Sequence, residues 1–520
     1  MASPGNRKTP TLSASTRVLF VLLGIMVACT TDPEPSATPQ SPPESQSQTP
    51  ETGVPASCVT SAHFVQPEDA LQEALTAAGP GATLCFKPGV YRLRQDLHPL
   101  LGQTLIFRPG AVLNGSEVVK NWTHVGSYWI SSGHQQNLSE ASWMTETSVA
   151  CPVVPTACIY EDVFFDGRPL RHVLTLSALD EPNEVFFDRP ADTIYLATDP
   201  TDRLVEATVA KFAITSPAGD VTTDDVTIRG ATIEKFAYAG IYTEADHWTI
   251  EDSELRYNHG QAIGIYGGSG EVIKNTRIHH NGVIGMITAR VDDFTVQNSE
   301  FDHNNHLHAG PEVGGYGEGA VKILLSHGVV FRDNWSHDNV GDGLWFDTDN
   351  YDILIENNVL EDNSRNGLHY EASFDATVRY NTIRNNGTDW YSHPAGILNA
   401  TSKNVEYYGN RIEGNRIRSI MILWSDRGQS ATLGERQSAN LYFHDNVIVL
   451  DDNPQSWVGV FWDQDPRVFT SNNRFQGNTY YARSDGQREG ERYWRWDGID
   501  LTWTGWRSYG FDTTGSYIRT

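Results

Sequence analysis

From about residue 224 onward the chain runs in short apolar–polar–apolar stretches separated by small or polar residues, and the alternation has a period of two rather than 3.6 residues. A glycine opens many of these stretches: Gly240-Ile-Tyr, Gly264-Ile-Tyr, Gly285-Met-Ile, Gly319-Ala-Val, Gly343-Leu-Trp, Gly367-Leu-His and Gly396-Ile-Leu lie 24, 21, 34, 24, 24 and 29 residues apart. A second alternating stretch follows (Val329-Val-Phe, Ile353-Leu-Ile, Ala376-Thr-Val), with Asn at 334, 358 and 381 and again at 339, 363 and 386. Such a period signals a repeat architecture. The β-branched and aromatic content and the Asn-rich breaks argue against a helical solenoid, so the pattern predicts stacked strands, one structural turn per repeat. Equivalent side chains then lie above one another at about 4.8 Å, where the asparagines can form amide ladders.

Before the repeats, residues 67–78 predict an amphipathic helix with a Pro-Glu-Asp start, suited to covering the open end of a solenoid. Strand-like Gly81-Ala-Thr-Leu-Cys-Phe-Lys-Pro-Gly-Val-Tyr and Leu105-Ile-Phe-Arg-Pro-Gly-Ala-Val-Leu-Asn-Gly follow. Residues 127–215 break the repeat and carry Val163-Phe-Phe-Asp-Gly, Glu184-Val-Phe-Phe-Asp and Thr193-Ile-Tyr-Leu-Ala-Thr-Asp-Pro. With Glu318-Gly-Ala-Val-Lys, Gly343-Leu-Trp-Phe-Asp-Thr-Asp-Asn, Gly367-Leu-His-Tyr-Glu and the Trp-rich stretch from Trp494, these segments resemble the right-handed parallel β-helix, pectate-lyase-like superfamily and its bacterial β-helix repeat proteins. The resemblance implies an all-β solenoid with an N-terminal capping helix. Its expected parts are a cap and first coils over 57–126, a β-rich insertion over 127–215, β-helix repeats over 216–480 and a C-terminal cap over 481–520. It leaves the reaction open, because the superfamily holds lyases, hydrolases, epimerases and non-catalytic adhesins.

Charge narrows the partners. Lys and Arg number 38 against 65 Asp and Glu, a net −27, so a nucleic-acid backbone would be repelled and nucleic acid is not an expected partner. The apolar run Val18–Ala28 is far shorter than the roughly 20 residues of a membrane-spanning helix. It follows Arg7, Lys8 and Arg17 and ends in Met26-Val-Ala-Cys29, which reads as an export signal over 1–28. Its last four residues resemble a bacterial lipobox, with Met26 where Leu is usual, which implies lipidation of Cys29 and anchoring at the cell envelope or surface; ordinary cleavage and secretion is the alternative. Residues 29–56, rich in Pro, Ser, Thr and Gln, read as a disordered tether. The other cysteines form an even set in an oxidising location, and proximity suggests Cys58 with Cys85 and Cys151 with Cys158, other connectivities remaining open.

In each coil the residue after Gly is apolar and points inward, so the next residue and the one two further on point out. This places Trp345 with Asp347, and His369 with Glu371, on the outer face of adjacent coils. Lys322 joins them if its coil slips register by one; strict counting from Gly319 would bury an unpaired ammonium. Tyr242, Tyr266 and Trp345 are expected to stack on sugar rings, while the carboxylates and His369 move protons. In a hydrolase, Asp347 and Glu371 would form the carboxylate pair. In a lyase or epimerase, Lys322 or His369 would abstract the proton α to a uronate, with Arg290 or a cation neutralising that carboxylate. His303, His306 and His308 crowd the long interval before Lys322, and His306 and His308 are expected to gate substrate over the same face.

The Gly341-Asp342-Gly343-Leu-Trp segment is similar to the calcium-binding Asp cluster of some β-helix pectate lyases but lacks the second Asp. Asp347-Thr-Asp349-Asn350 reads as a turn rather than a calcium loop. Ca²⁺ is thus the one cofactor raised, and no transition-metal signature is matched. The expected partner is polysaccharide, with membrane contact only through the lipid. The acidic balance favours neutral glycans and sets glycoside hydrolysis ahead of lyase or epimerase chemistry; the alternative is a non-catalytic surface module binding carbohydrate or protein.

Overall fold

A computed structural model describes residue 58 and residues 62–134, 136, 138, 155–216, 223–308, 319–388, 394–450, 457–463, 465–482 and 491–519, with the side chains of 462 and 463 excepted. Cys29, the export segment, the tether and Cys151 lie outside these residues. No helix among the described residues is long and apolar enough to cross a membrane.

Each repeat contributes one strand to each of three long sheets of 13, 13 and 12 strands. One rung shows the course: Thr249–Glu251 in the first sheet, Glu254–Arg256 in the second and Gln261–Tyr266 in the third. Pairing between rungs is parallel and places like on like. Ile228, Ile250, Ile273, Val296, Phe331 and Ile355 form one inward column, which Val378, Tyr407, Phe443 and Phe475 continue. Tyr407 and Phe443 stack with ring centroids 4.3 Å apart, so the interior is filled by aligned columns.

The asparagines do what their spacing predicts. One ladder of side-chain amide bonds, each 2.9–3.1 Å, runs Asn258, Asn281, Asn304, Asn339, Asn363, Asn386 and Asn415. A second links Asn334, Asn358, Asn381, Asn410, Asn446 and Asn478, and closes on Asp512. Each ladder amide lies where the chain leaves one sheet for the next, and the residue before it is left-handed, as at His280, His303, Asp338 and Asp362 (φ 52–53°). Asn, Asp and His tolerate that conformation better than most residues, which is why the corners are spelled with them.

The helix Leu71–Ala78 buries Leu71 and Leu75 in the main core, as a cap should. Cys58 and Cys85 are disulfide-bonded, with Cα atoms 5.9 Å apart; Cys158 is disulfide-bonded as well. The insertion begins and ends earlier than loss of the repeat suggested. Antiparallel strands already start at Ser116–Val118 and finish at Val205–Thr208, whereas Phe212–Thr215 pairs in parallel with Ala239–Thr243 and belongs to the third sheet. The insertion has its own core of Val163, Val185, Ile194, Leu196 and Val205. It docks through Glu206, which accepts bonds from Lys235 (2.6 Å) and Arg92 (2.7 Å), and through Asp162, held 3.1 Å from His259 Nδ1. At the other end, Ser516–Arg519 adds a last parallel strand to the second sheet within the stretch expected to be only a cap.

One buried group sits against the grain. Glu271 is 1% exposed and no side chain bonds to its carboxylate, which has only the backbone near Ser269 and Glu271 to face. Burial pushes it up to about 8, with Asp246 and Asp292 adding to the rise. A raised acid favours the folded state fully only below its unfolded value, and that contribution is lost as pH climbs through about 8. Glu271→Gln should therefore raise the unfolding midpoint at pH 8, by about 3 kcal/mol in equivalent stability, and make little difference at pH 4. Denaturant unfolding of both proteins across that range checks it; a pH-independent difference would mean the carboxyl is not the titrating group.

Candidate active site

The outer face of the third sheet carries two rows. Tyr242, Gly264, Ile287, Lys322, Trp345, His369 and Leu398 pair in succession along one. Tyr266, Ala289, Leu324, Asp347, Glu371 and Ala400 form the other. The register slip at Lys322 is real: Gly319 lies opposite Asp342, one place before Gly343, and so Lys322 stands beside Trp345. The Gly264 coil slips further, because Gly264 faces Tyr242; Tyr266 thereby falls in the carboxylate row and Tyr242 in the lysine row.

Lys322 points outward yet is only 2% exposed. Its Nζ lies 3.0 Å from Asp347 Oδ2 and 3.4 Å above the Trp345 ring centroid, so the ammonium is both paired and held over a π face. The opposite face of Trp345 stacks on His369, at 4.9 Å and 7°. With both faces covered, Trp345 cannot be the sugar-stacking platform expected of it. Its role is to fix Lys322 and His369, and its buried indole Nε1–H has no hydrogen-bond partner.

His369 is oriented from behind. Its Nδ1 lies 3.0 Å from Asp342 Oδ2, and its Nε2 lies 3.4 Å from Glu371 Oε2. Asp342 is wholly buried, and burial would raise it; Arg365 and His369 together hold it well below the usual carboxylate range. Its Oδ1 also accepts from the backbone and side-chain N–H groups of Asn366, at 2.9 and 2.7 Å. The segment raised as a calcium cluster thus holds an imidazole-orienting acid, bound to His369 and Asn366. Asp349, in the neighbouring turn, likewise gives both oxygens to Arg436 at 2.8 and 2.7 Å, so this turn holds a guanidinium rather than calcium.

Arg290, expected to neutralise a uronate carboxylate, is not part of this group; the arginine beside Asp347 and Glu371 is Arg427. Arg290 is exposed in a left-handed turn residue at the end of an earlier rung. Arg427 donates through Nη1 to Glu371 Oε1 and lies 3.4 Å from Asp347 Oδ1 through Nη2, so one guanidinium spans both acids. It is carried by a loop whose strands Gln429–Ser430 and Gly434–Glu435 form an antiparallel hairpin, and Arg436 clamps that loop by donating to the Arg427 carbonyl at 2.7 Å. Asp347 is 8% exposed; burial would raise it, but Lys322, Arg427 and a 2.8 Å bond from Thr348 Oγ1 hold it ionised below its ordinary range.

The expected flanking residues are distributed differently. Tyr242 and Tyr266 stack on each other at 5.2 Å, and their hydroxyls reach Glu244 (3.0 Å) and Gln261 (3.3 Å), two to three rungs before Lys322. Burial lowers His306, whose electrostatic neighbours are Asp162, His259 and His308; it faces the docked insertion rather than gating the ladder, and His308 is exposed.

A family model described as "Right handed beta helix region" matches residues 239–417. The chain is a right-handed parallel β-helix. The same fold is seen in XylC, solved in complex with xylose, at 15% identity, 81% coverage of this chain and 83% of that one, with a TM-score of 0.61. It is also seen in the A-module of the mannuronan C-5 epimerase AlgE6 of Azotobacter vinelandii, at 14% identity, 87% and 94% coverage, with a TM-score of 0.51. No curated protein matches in sequence. Within this β-helix the Lys322–Asp347–His369–Glu371 group crosses three consecutive rungs of one sheet face, and Asp342, Arg427 and Arg436 complete it from outside the regular strands.

Proposed function

We propose that this protein is a retaining glycoside hydrolase acting on neutral polysaccharide, exported and held at the bacterial cell envelope by lipid on Cys29. The observation that carries the reading is the bridged carboxylate pair. Asp347 and Glu371 are register partners on adjacent strands, about 4.8 Å apart at the backbone, and one guanidinium touches both. A single guanidinium within reach of both carboxylates holds them close on one face, which favours the short carboxyl spacing of a retaining pair, about 5–5.5 Å, over the wider one that seats a water in an inverting enzyme.

The environments assign the roles. Asp347, kept ionised by Lys322 and Arg427, attacks the anomeric carbon; Glu371, its register partner without a lysine of its own, is left as the acid that gives its proton to the departing glycosidic oxygen once sugar displaces Arg427. Glu371 then takes a proton from water, whose oxygen displaces Asp347 and releases the sugar. The Arg427 guanidinium marks the space of the reacting centre, so sugar entry shifts it from at least one carboxylate. Lyase or epimerase chemistry fits less well, because Lys322 is paired with Asp347 and packed on Trp345, and His369 Nε2 faces Glu371.

The xylose complex of the similarly folded XylC makes xylo-oligosaccharides the first substrates to try, within a wider panel of neutral glycans and uronates. Reducing ends should appear without ultraviolet-absorbing unsaturated product, and proton NMR of the first product should show the substrate's own anomeric configuration. An inverted product, an unsaturated product, or binding without cleavage across the panel would each reject the proposal.

A further inference from the structure

The chain has 17 histidines, and four of them gather on the outer face and corner of the second sheet, away from the third-sheet ladder. His279 ends the strand Arg277–His279, Asp302 pairs with it from the next rung, and His337 pairs with Asp302 from the rung after. His280 and His303 occupy the following left-handed corner positions, and their rings stack at 4.8 Å and 6°. Two overlapping sets of donor atoms converge here, His279–His280–Asp302 and Glu300–Asp302–His337, each within 4.8 Å and sharing Asp302.

We propose that this cluster is a binding site for a divalent transition-metal ion of the zinc, nickel or copper class, with His279, His280 and Asp302 as its primary ligands. His279 Nδ1 and His280 Nδ1 lie 2.8 Å apart. The two nitrogens share a proton at that distance, and donors on one ion, each at roughly 2.0–2.1 Å, stand about 2.9–3.3 Å apart, so an ion replaces the proton with little movement of either ring. The other nitrogen of His279 lies 3.0 Å from Glu254 Oε1, the carboxylate–imidazole contact that fixes a metal-binding ring and leaves its second nitrogen as a lone pair. His337 differs, because both its nitrogens face carboxylates, Nδ1 2.7 Å from Asp338 Oδ2 and Nε2 3.2 Å from Glu300 Oε1, so it braces the cluster and is not a ligand.

Asp302 already accepts from Arg277 at 3.0 and 3.1 Å, and His303 Nδ1 lies 2.8 Å from its Oδ2; a carboxylate has lone pairs left for an ion. Imidazole donors select zinc, nickel or copper over calcium or magnesium. The ion would join successive rungs through His279, His280 and Asp302.

The test uses the tag-free chain, stripped with chelator and titrated with Zn²⁺ against a chromogenic competitor, alongside His280→Ala and His280→Gln. One ion per chain is expected, with at least a tenfold loss of affinity in both variants, no competition by Ca²⁺, and a zinc-induced rise in melting temperature confined to the parent. Matching circular dichroism of the metal-free forms certifies the fold of each variant. No stoichiometric uptake by the parent, or uptake unchanged in both variants, would overturn the site. The readout needs no activity on sugars, so it stands or falls apart from the hydrolase reading.

Discussion

Asp347→Asn is expected to lower the rate of glycan cleavage by roughly 1,000-fold or more, with Glu371→Gln comparably damaging on natural substrates, because each removes a group that reacts rather than one that only binds. The two losses should differ in kind. Without Glu371 an aryl glycoside with a good leaving group can still glycosylate Asp347, since departure then needs no proton, but water is no longer deprotonated to release the enzyme. Added azide, a nucleophile that needs no general base, should restore turnover to the Glu371→Gln protein and yield the glycosyl azide with retained configuration. No leaving group and no azide should rescue Asp347→Asn. Steady-state rates with and without azide, and NMR of the azide product, decide the assignment. Rescue of the Asp347 variant instead, or of neither, would exchange the roles or remove the nucleophilic step.

Those assignments depend on geometry that was partly legible in the sequence. A solenoid converts spacing into position, so the roughly 24-residue interval between Trp345 and His369, and between Asp347 and Glu371, already made vertical neighbours of residues far apart in number. The burial cost of an unpaired ammonium was enough to detect the slip at Lys322. The same rule was misleading about its surroundings: an outward position on this sheet is not a wet one, because Trp345 and Asp347 close over the lysine. What lay outside the strands was not legible. Arg427 stands 80 residues from Asp347 on a hairpin with no rung to count from, and Asp342 precedes its strand. The enlarged interval after Trp424 was the available signal for Arg427, of the kind that drew attention to His306 and His308. Loop length alone could not say which insertion bends over the ladder and which packs against residues 116–208.

Lys322→Met should cost about 100-fold in kcat/KM and move the acidic limb of its pH profile upward. Burial favours a protonated Asp347, and Lys322 is the foremost charge opposing that preference, so removing it raises the aspartate and leaves less nucleophile at low pH. Arg427 remains and keeps the shift from being complete. A purely structural role for Lys322 would lower activity without moving the limb, and the profile therefore separates positioning of charge from loss of packing. Stability adds a second reading. Deleting one partner of a buried pair strands the other, at a cost of about 3–5 kcal/mol, whereas deleting both removes the penalty with the charge. The double variant Lys322→Met, Asp347→Asn should melt above Lys322→Met alone although it carries one more substitution. If instead the two changes add, the ammonium and carboxylate are not coupled, and Asp347 would owe its ionisation to Arg427.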